Sequence, residues 1–224
     1  MGGPKHNKLQ YLLSFLFDSL VDPRSSEFNP VLDVKYYEGG YILDAKTCNF
    51  SFGTLHQVFQ LSFNQLDIGR HPIDSVLILG YGAGSITKLL NERLNKPRIV
   101  GVEIDAEVIT IAREYFGLDE IENVSIVEMD AATYVKSCEE KFDLIAVDIF
   151  DDDRVPGQFY ERSFMQFLKK LLRPGGILVF NASIQGSGQD TTILFSSFEA
   201  VFKRYKTLRV ESNKVLVWEG PTLQ

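Results

Sequence analysis

Val76-Leu77-Ile78-Leu79-Gly80-Tyr81-Gly82-Ala83-Gly84-Ser85 is the stretch from which the rest of the chain is read. Its leading apolar run predicts a strand, Val76–Gly80, covered on both faces, because a strand with one wet face would alternate. The strand runs directly into a glycine-rich turn. Glycine lets a backbone turn sharply and approach a ligand closely, and a helical pattern near Ser85–Leu94 aims its first N–H groups at the same place. A dinucleotide turn reads G-x-G-x-x-G. Here the third glycine comes one residue early and Ser85 fills the expected slot, a spacing that favours a single nucleoside without pyrophosphate. A tight strand-to-helix connection with no ligand is the plainer reading of the turn alone.

The same alternation continues outward. Further apolar strands are predicted at Arg98–Glu103, Val124–Glu128, Phe142–Asp148 and Ile177–Asn181. Helices are predicted near Ala106–Phe116, Ala131–Ser137 and Ser163–Leu172, with Asp105 placed to cap the first of these and Gly117 to end it. After the fifth strand a helix, Asp190–Tyr205, leads to strands Thr207–Val210 and Lys214–Trp218. Only Glu211-Ser212-Asn213 separates those two, so they pair antiparallel. The fold class is therefore α/β, with five parallel strands closed by an antiparallel C-terminal hairpin.

Residues 1–70 read differently, as a small α+β extension in front of a nucleoside-binding domain at 71–224. Leu9, Leu12, Leu13, Leu16, Phe17 and Leu20 recur at helical spacing and predict an amphipathic helix that packs on a partner surface. Lys5 and Lys8 before an apolar run imitate a signal peptide. Asp18 interrupts the run and no small-residue cleavage site follows, so that reading is set aside. Pro23–Pro30 reads as a loop. Strands Val31–Tyr37 and Tyr41–Ala45 form a hairpin through Glu38-Gly39-Gly40, and a helix follows Gly53 with Leu55, Val58, Phe59, Ser62, Phe63 and Leu66 on one face.

Composition narrows the classes. Apolar residues at 45% and charged residues at 24% are ordinary for a globular chain of 224 residues. A net charge of −7 without any Lys/Arg cluster argues against a nucleic-acid partner. No stretch reaches the ~18 apolar residues of a membrane span. Cys48 and Cys138 fit neither a disulfide framework nor a zinc pattern, and the scattered His6, His56 and His71 build no histidine metal site. The expectation is a cytoplasmic protein without a metal.

Two acids stand at the ends of the strands that follow the glycine turn. Glu103 lies 19 residues beyond Gly84, where a carboxylate accepts ribose hydroxyls, and Asp130 follows the third strand, where it suits an adenine amino group. Either acid alone would be read as a helix cap or a solvated loop residue. The fourth strand ends at Asp148, over the same crevice, where a carboxylate attracts a cationic amine and takes its proton. A structural, hydrogen-bonded Asp148 is the alternative. Asp152 and Asp153 read as solvated.

These residues resemble the spermidine synthases, or polyamine aminopropyltransferases, within the class I S-adenosylmethionine-dependent methyltransferase superfamily. The likeness runs from about Val31 to Phe180. It is densest at Val76–Ser85, Gly101–Asp105, Met129–Ala131, Phe142–Asp148 with Asp151, and Leu172–Val179. Ile78 fits as well, since many methyltransferases carry an acid there. The resemblance implies a Rossmann-like methyltransferase fold with a seven-stranded, mostly parallel sheet. It implies that Gly80, Tyr81, Gly82, Ala83 and Gly84, with Glu103, Ile104, Asp130 and Ala131, bind the donor nucleoside. Asp148 becomes the catalytic proton acceptor, and Asp151, with His56 and Gln57, holds the acceptor substrate. It also implies a homodimer in which residues 1–50 take part.

The chain departs from the family's pattern in the amine pocket. Ala83 stands where the family's G-G-G-D-G-G loop has the Asp thought to hold the donor's aminopropyl amine. Asp148-Ile149-Phe150-Asp151-Asp152 lacks the family's two hydroxyls and proline, and Leu55-His56-Gln57 keeps only the histidine of Tyr-His-Glu. Each loss removes a polar or anionic group. On that ground methyl transfer from S-adenosylmethionine to a small-molecule acceptor is preferred. Aminopropyl transfer from decarboxylated S-adenosylmethionine is the alternative, and a non-catalytic nucleoside-binding or assembly module the third reading.

Overall fold

The structure, a computed structural model, describes residues 8–45, 54–151, 154–184, 188–210 and 212–221. A seven-stranded sheet forms its centre. Strand β4 (Ser75–Leu79) is flanked by β5 (Arg98–Glu103) and β6 (Val124–Glu128) on one side and by β7 (Phe142–Val147) and β8 (Leu172–Ile184) on the other. These five run parallel. β10 (Asn213–Glu219) pairs antiparallel with both β8 and β9 (Lys206–Val210), giving the order β6-β5-β4-β7-β8-β10-β9. This is the mostly parallel sheet expected from the sequence.

Both faces of the sheet are covered over β4, β5 and β7, which is why those strands do not alternate. Every residue of β4 is buried. Leu77 and Leu79 pack in a cluster with residues of α5 (Ala131–Ser137), α6 (Arg162–Leu171) and α7 (Thr192–Val201). Val76 and Ile78 pack on the opposite face with residues of α2 (Thr54–Gln65), α3 (Ser85–Arg93) and α4 (Ala106–Phe116). α2, grouped with the extension by sequence, thus packs its Val58, Phe59 and Phe63 in the core of the large sheet. Asp105 caps α4 by accepting from the Glu107 N–H at 2.9 Å, and Gly117 ends that helix in the left-handed region.

The N-terminal segment corrects one expectation. The helix predicted over Leu9–Leu20 stops early, as α1 (Lys8–Leu13), and the chain then enters β1 (Ser19–Arg24). The buried Ser14 is the reason. Its hydroxyl donates to the Tyr11 carbonyl at 2.7 Å and accepts from the Gly39 N–H at 3.0 Å, while its carbonyl accepts from Glu38 N–H. These bonds fasten the helix end to the turn between β2 (Leu32–Tyr37) and β3 (Gly40–Ala45). Residues 19–24 pair instead with β2, and Pro23 is tolerated because β1 is an edge strand. Glu38 and Gly39 both have positive φ, as a two-residue hairpin turn with the strands' twist requires.

The three-stranded sheet β1-β2-β3 packs on α4 through Leu32, Val34 and Leu43 against Val108 and Ile111, with Ala83 in the same cluster. Polar bonds hold the same joint. Arg24 pairs with Asp22, Glu107 and Glu114, and Asp105 accepts from the Ser26 hydroxyl and from Asn29 Nδ2 at 2.6 Å.

Gly101, in the middle of β5, leaves room for the Tyr81 ring: a Cβ there would lie 2.3 Å from Tyr81 Cδ2 and 2.8 Å from Ile126 Cδ1. Both neighbours are packed, so Gly101→Ala is expected to cost about 1–3 kcal/mol of unfolding free energy through overpacking. Urea denaturation measures this, and an unchanged midpoint would show that Tyr81 yields freely.

Candidate active site

A cleft of about 230 Å³ opens at the carboxyl ends of β4, β5, β6 and β7. Chain order reverses between β4 and β7, the point where an open parallel sheet leaves a crevice. Gly80 makes the crevice possible. It has φ +80°, and a Cβ on it would sit 2.2 Å from the Asp148 carbonyl oxygen. The ends of β4 and β7 are clamped there by the Asp148 N–H donating to the Leu79 carbonyl at 2.8 Å.

Glu103 ends β5 with its side chain buried in the cleft wall. One carboxylate oxygen accepts from Gly82 N–H at 2.9 Å, the other from Ile104 N–H at 2.9 Å and Asp105 N–H at 3.2 Å. Burial raises its pKa, and the three N–H donors work against that rise. The glycine turn is thus tied to the acid proposed for ribose. Ile104 and Met129 stand on the wall, 39% and 37% exposed, offering apolar surface to a flat ring. Asp130 caps α5, accepting from Thr133 N–H at 2.8 Å, and its second oxygen accepts from Gln158 Nε2 at 2.9 Å. It is therefore a helix cap and a cleft residue at once. Ala131 lies beside it.

Asp148 forms the floor at the end of β7. Burial pushes its pKa up to about 6, against an opposing hydrogen bond from Asn181 Nδ2 at 3.0 Å. Asp151 also lines the cleft, and its backbone pairs with that of Arg154. The segment beyond adds Pro156, Gln158 and Phe159, and the extension adds Phe28, Asn29 and Ala45.

Most of the residues singled out by sequence meet in this cleft: Gly80, Tyr81, Gly82, Glu103, Ile104, Asp130, Ala131, Asp148 and Asp151. Ala83 and Gly84 do not. They line a second depression behind the turn, beside Tyr41 and Phe116, and Ala83 is buried against the extension's apolar cluster. Tyr81 and Ser85, on either side of them, line both depressions. Gln57 is exposed on α2 and away from the cleft lining, and the His56 side chain lies outside the described residues. Phe28, Met129, Gln158 and Asn181 had no sequence signal of their own. Only Met129, directly before Asp130, could have been inferred from its strand end.

Among the described residues the cleft lining carries four carboxylates, Glu103, Asp130, Asp148 and Asp151, and no Lys, Arg or His. Such a surface suits a cationic ligand. Glu103, Ile104 and Asp130, expected from sequence to hold a nucleoside donor, lie together on this lining.

Known proteins resemble this chain. A probable polyamine aminopropyl transferase of Bifidobacterium longum is 31% identical over 62% of this chain and 31% of its own length. The human eEF1A lysine and N-terminal methyltransferase is 26% identical over 63% of this chain and 22% of its own. The chain thus spans a third or less of the length of these two relatives. A solved structure of a probable spermidine synthase from Corynebacterium glutamicum superposes with a TM-score of 0.73 at 20% identity, covering 90% of this chain and 80% of the other, which establishes the shared fold. The spermine/spermidine synthase domain matches residues 66–207, more than half of the chain, and the protein belongs to that family.

Proposed function

We propose that the chain transfers an aminopropyl group from decarboxylated S-adenosylmethionine to a small amine. The observation that carries this reading is the charge of the cleft: four carboxylates and, among the described residues, no cation to meet the carboxylate of ordinary S-adenosylmethionine. This reverses the order preferred from sequence. That order rested on three departures from the family's amine pocket, and one of them, Ala83, packs against the extension instead of lining the cleft. The relatives named polyamine aminopropyltransferases support the same order. Methyl transfer is the second reading, favoured by the methyltransferase relative.

The donor supplies a carbon made electrophilic by its sulfonium. Asp148 draws in the protonated amine and accepts its proton, so that the nitrogen lone pair is free as the C–N bond forms; the C–S pair leaves with sulfur as a neutral thioether. Asp151 lies on the same wall, placed to hold the amine or its second charge. Ile149, Phe150 and Phe159 keep water from the reacting atoms, and positioning supplies much of the remaining rate. Glu103 and Asp130 hold the nucleoside. We further propose a homodimer, with the boundary expected at 70 moved ahead of α2, since Val58, Phe59 and Phe63 pack in the core of the transferase domain. The support for the dimer is that Leu9, Leu12, Leu16, Phe17 and Leu20 each stay more than half exposed rather than packing on the chain's own core.

In direct competition monitored by calorimetry, the decarboxylated donor is expected to bind more tightly than the carboxylated one. The reverse order would return methyl transfer to first place, and binding without turnover on any amine would leave a nucleoside-binding module. Asp148 must be ionised to accept a proton, so with its pKa near 6 the rate should fall as pH drops through about 6 and hold above it. Asp148→Asn should lose about 10²–10⁴-fold in kcat with little change in donor affinity. Initial rates against pH test both, and a flat profile between pH 5 and 8 would remove Asp148 from the chemistry. Light scattering at micromolar concentration should give about twice the chain mass of 25.4 kDa; the monomer mass would defeat the dimer.

A further inference from the structure

We infer that Asn181 and Asn213 form a buried positioning pair that holds the Asp148 carboxylate ready to accept a proton. The inference rests on the role proposed for Asp148. Asn181 lies on β8 with no exposure, and Asn213 opens β10 at 3%. Both stand where the neighbouring core positions, Phe180, Ala182 and Val215, are apolar. A polar pair in such a place is costly unless every group is bonded, and this pair is bonded in one direction. Asn213 Nδ2 donates to Asn181 Oδ1 at 3.0 Å, and Asn181 Nδ2 donates to Asp148 Oδ1 at 3.0 Å. The Ser212 hydroxyl, at the hairpin turn, donates to Asn213 Oδ1 at 3.4 Å.

The two ends of an amide are nearly equal in size, so shape alone does not decide which end of Asn181 faces the site. Asn213 decides it. Turned round, Asn181 would set its carbonyl oxygen against the Asp148 carboxylate and its NH2 against that of Asn213, losing both bonds. Held as it is, it donates to Asp148 and favours the ionised form. The other titratable groups that line the cleft with Asp148 are Glu103 from β5, Asp130 from the end of β6, Asp151 from its own segment and Tyr81 from the turn after β4, and none of them is a cation. Among the described residues, Asn181 is therefore the group that opposes the burial of this carboxylate.

The test is a pH titration of the full chain carrying ¹³C-carboxyl aspartate, with the Asp148 signal identified by its loss in Asp148→Asn. The expected midpoint is near 6 in the unaltered protein. It should move up by on the order of one unit in Asn181→Ala, and in the same direction in Asn213→Ala, because the freed amide turns its oxygen toward a protonated Asp148. Asn213 does not touch Asp148, so a shift there travels through Asn181. Should Asn181→Ala fail to fold by circular dichroism, Asn213→Ala decides alone. A lowered melting temperature with an unmoved midpoint means a purely structural pair and overturns the inference. Calorimetry with methylthioadenosine on the same samples keeps the two proposals apart. Failure of the unaltered protein to bind it counts against the proposed function, while the titration still decides the role of the pair.

Discussion

The backbone contact between Gly80 and Asp148 is the constraint on which the site depends. β4 and β7 are neighbours in the sheet, and the chain leaves them toward opposite sides, so a crevice opens where they part. Its depth is set by how closely the two strand ends meet. With a Cβ at position 80 lying 2.2 Å from a carbonyl oxygen, only glycine permits the approach, and its left-handed φ turns the loop toward α3. The same contact puts the catalytic candidate directly across from the nucleoside loop.

Carboxylates then build the walls, each stabilised by donors that the fold already owed to something else. Glu103 is buried with its carboxylate oxygens accepting from three backbone N–H groups, one of them in the glycine turn it faces. Asp105 caps α4 and also accepts from Ser26 and Asn29, so one side chain orients the helix behind the donor loop and draws the extension over the cleft. Phe28 reaches the cleft for that reason. Asp148 receives one side-chain donor, Asn181, and burial pushes its pKa up to about 6, which suits the proton-accepting role proposed for it.

Much of the fold was legible because it follows from local chemistry. Strand runs without alternation announced a sheet covered on both faces, and β5, β6, α4 and α5 begin and end where Glu103, Asp105, Gly117 and Asp130 signalled. The N-terminal helix was legible only to Leu13. Its apolar spacing continued to Leu20, but Ser14 is claimed by a turn more than twenty residues later, and no helical periodicity registers such a bond. Ala83 shows the same limit at the site. Its place in the motif put it beside the donor, whereas packing against Leu32, Leu43 and Val108 faces it the other way.

The sequence by itself determined the sheet, the glycine turn and the three strand-end acids, because strand burial, left-handed turns and helix caps are decided within a few residues. Tertiary structure alone decided which of those groups meet. The orientation of Asn181 by Asn213, the bond from Gln158 to Asp130 and the cover supplied by Phe28 join residues far apart in the chain. So does the absence of a cation from the described lining, the observation on which the donor reading turns. Such contacts arise only when strands from distant parts of the chain lie side by side, and the charge of a cavity is a sum over whatever those strands bring to it.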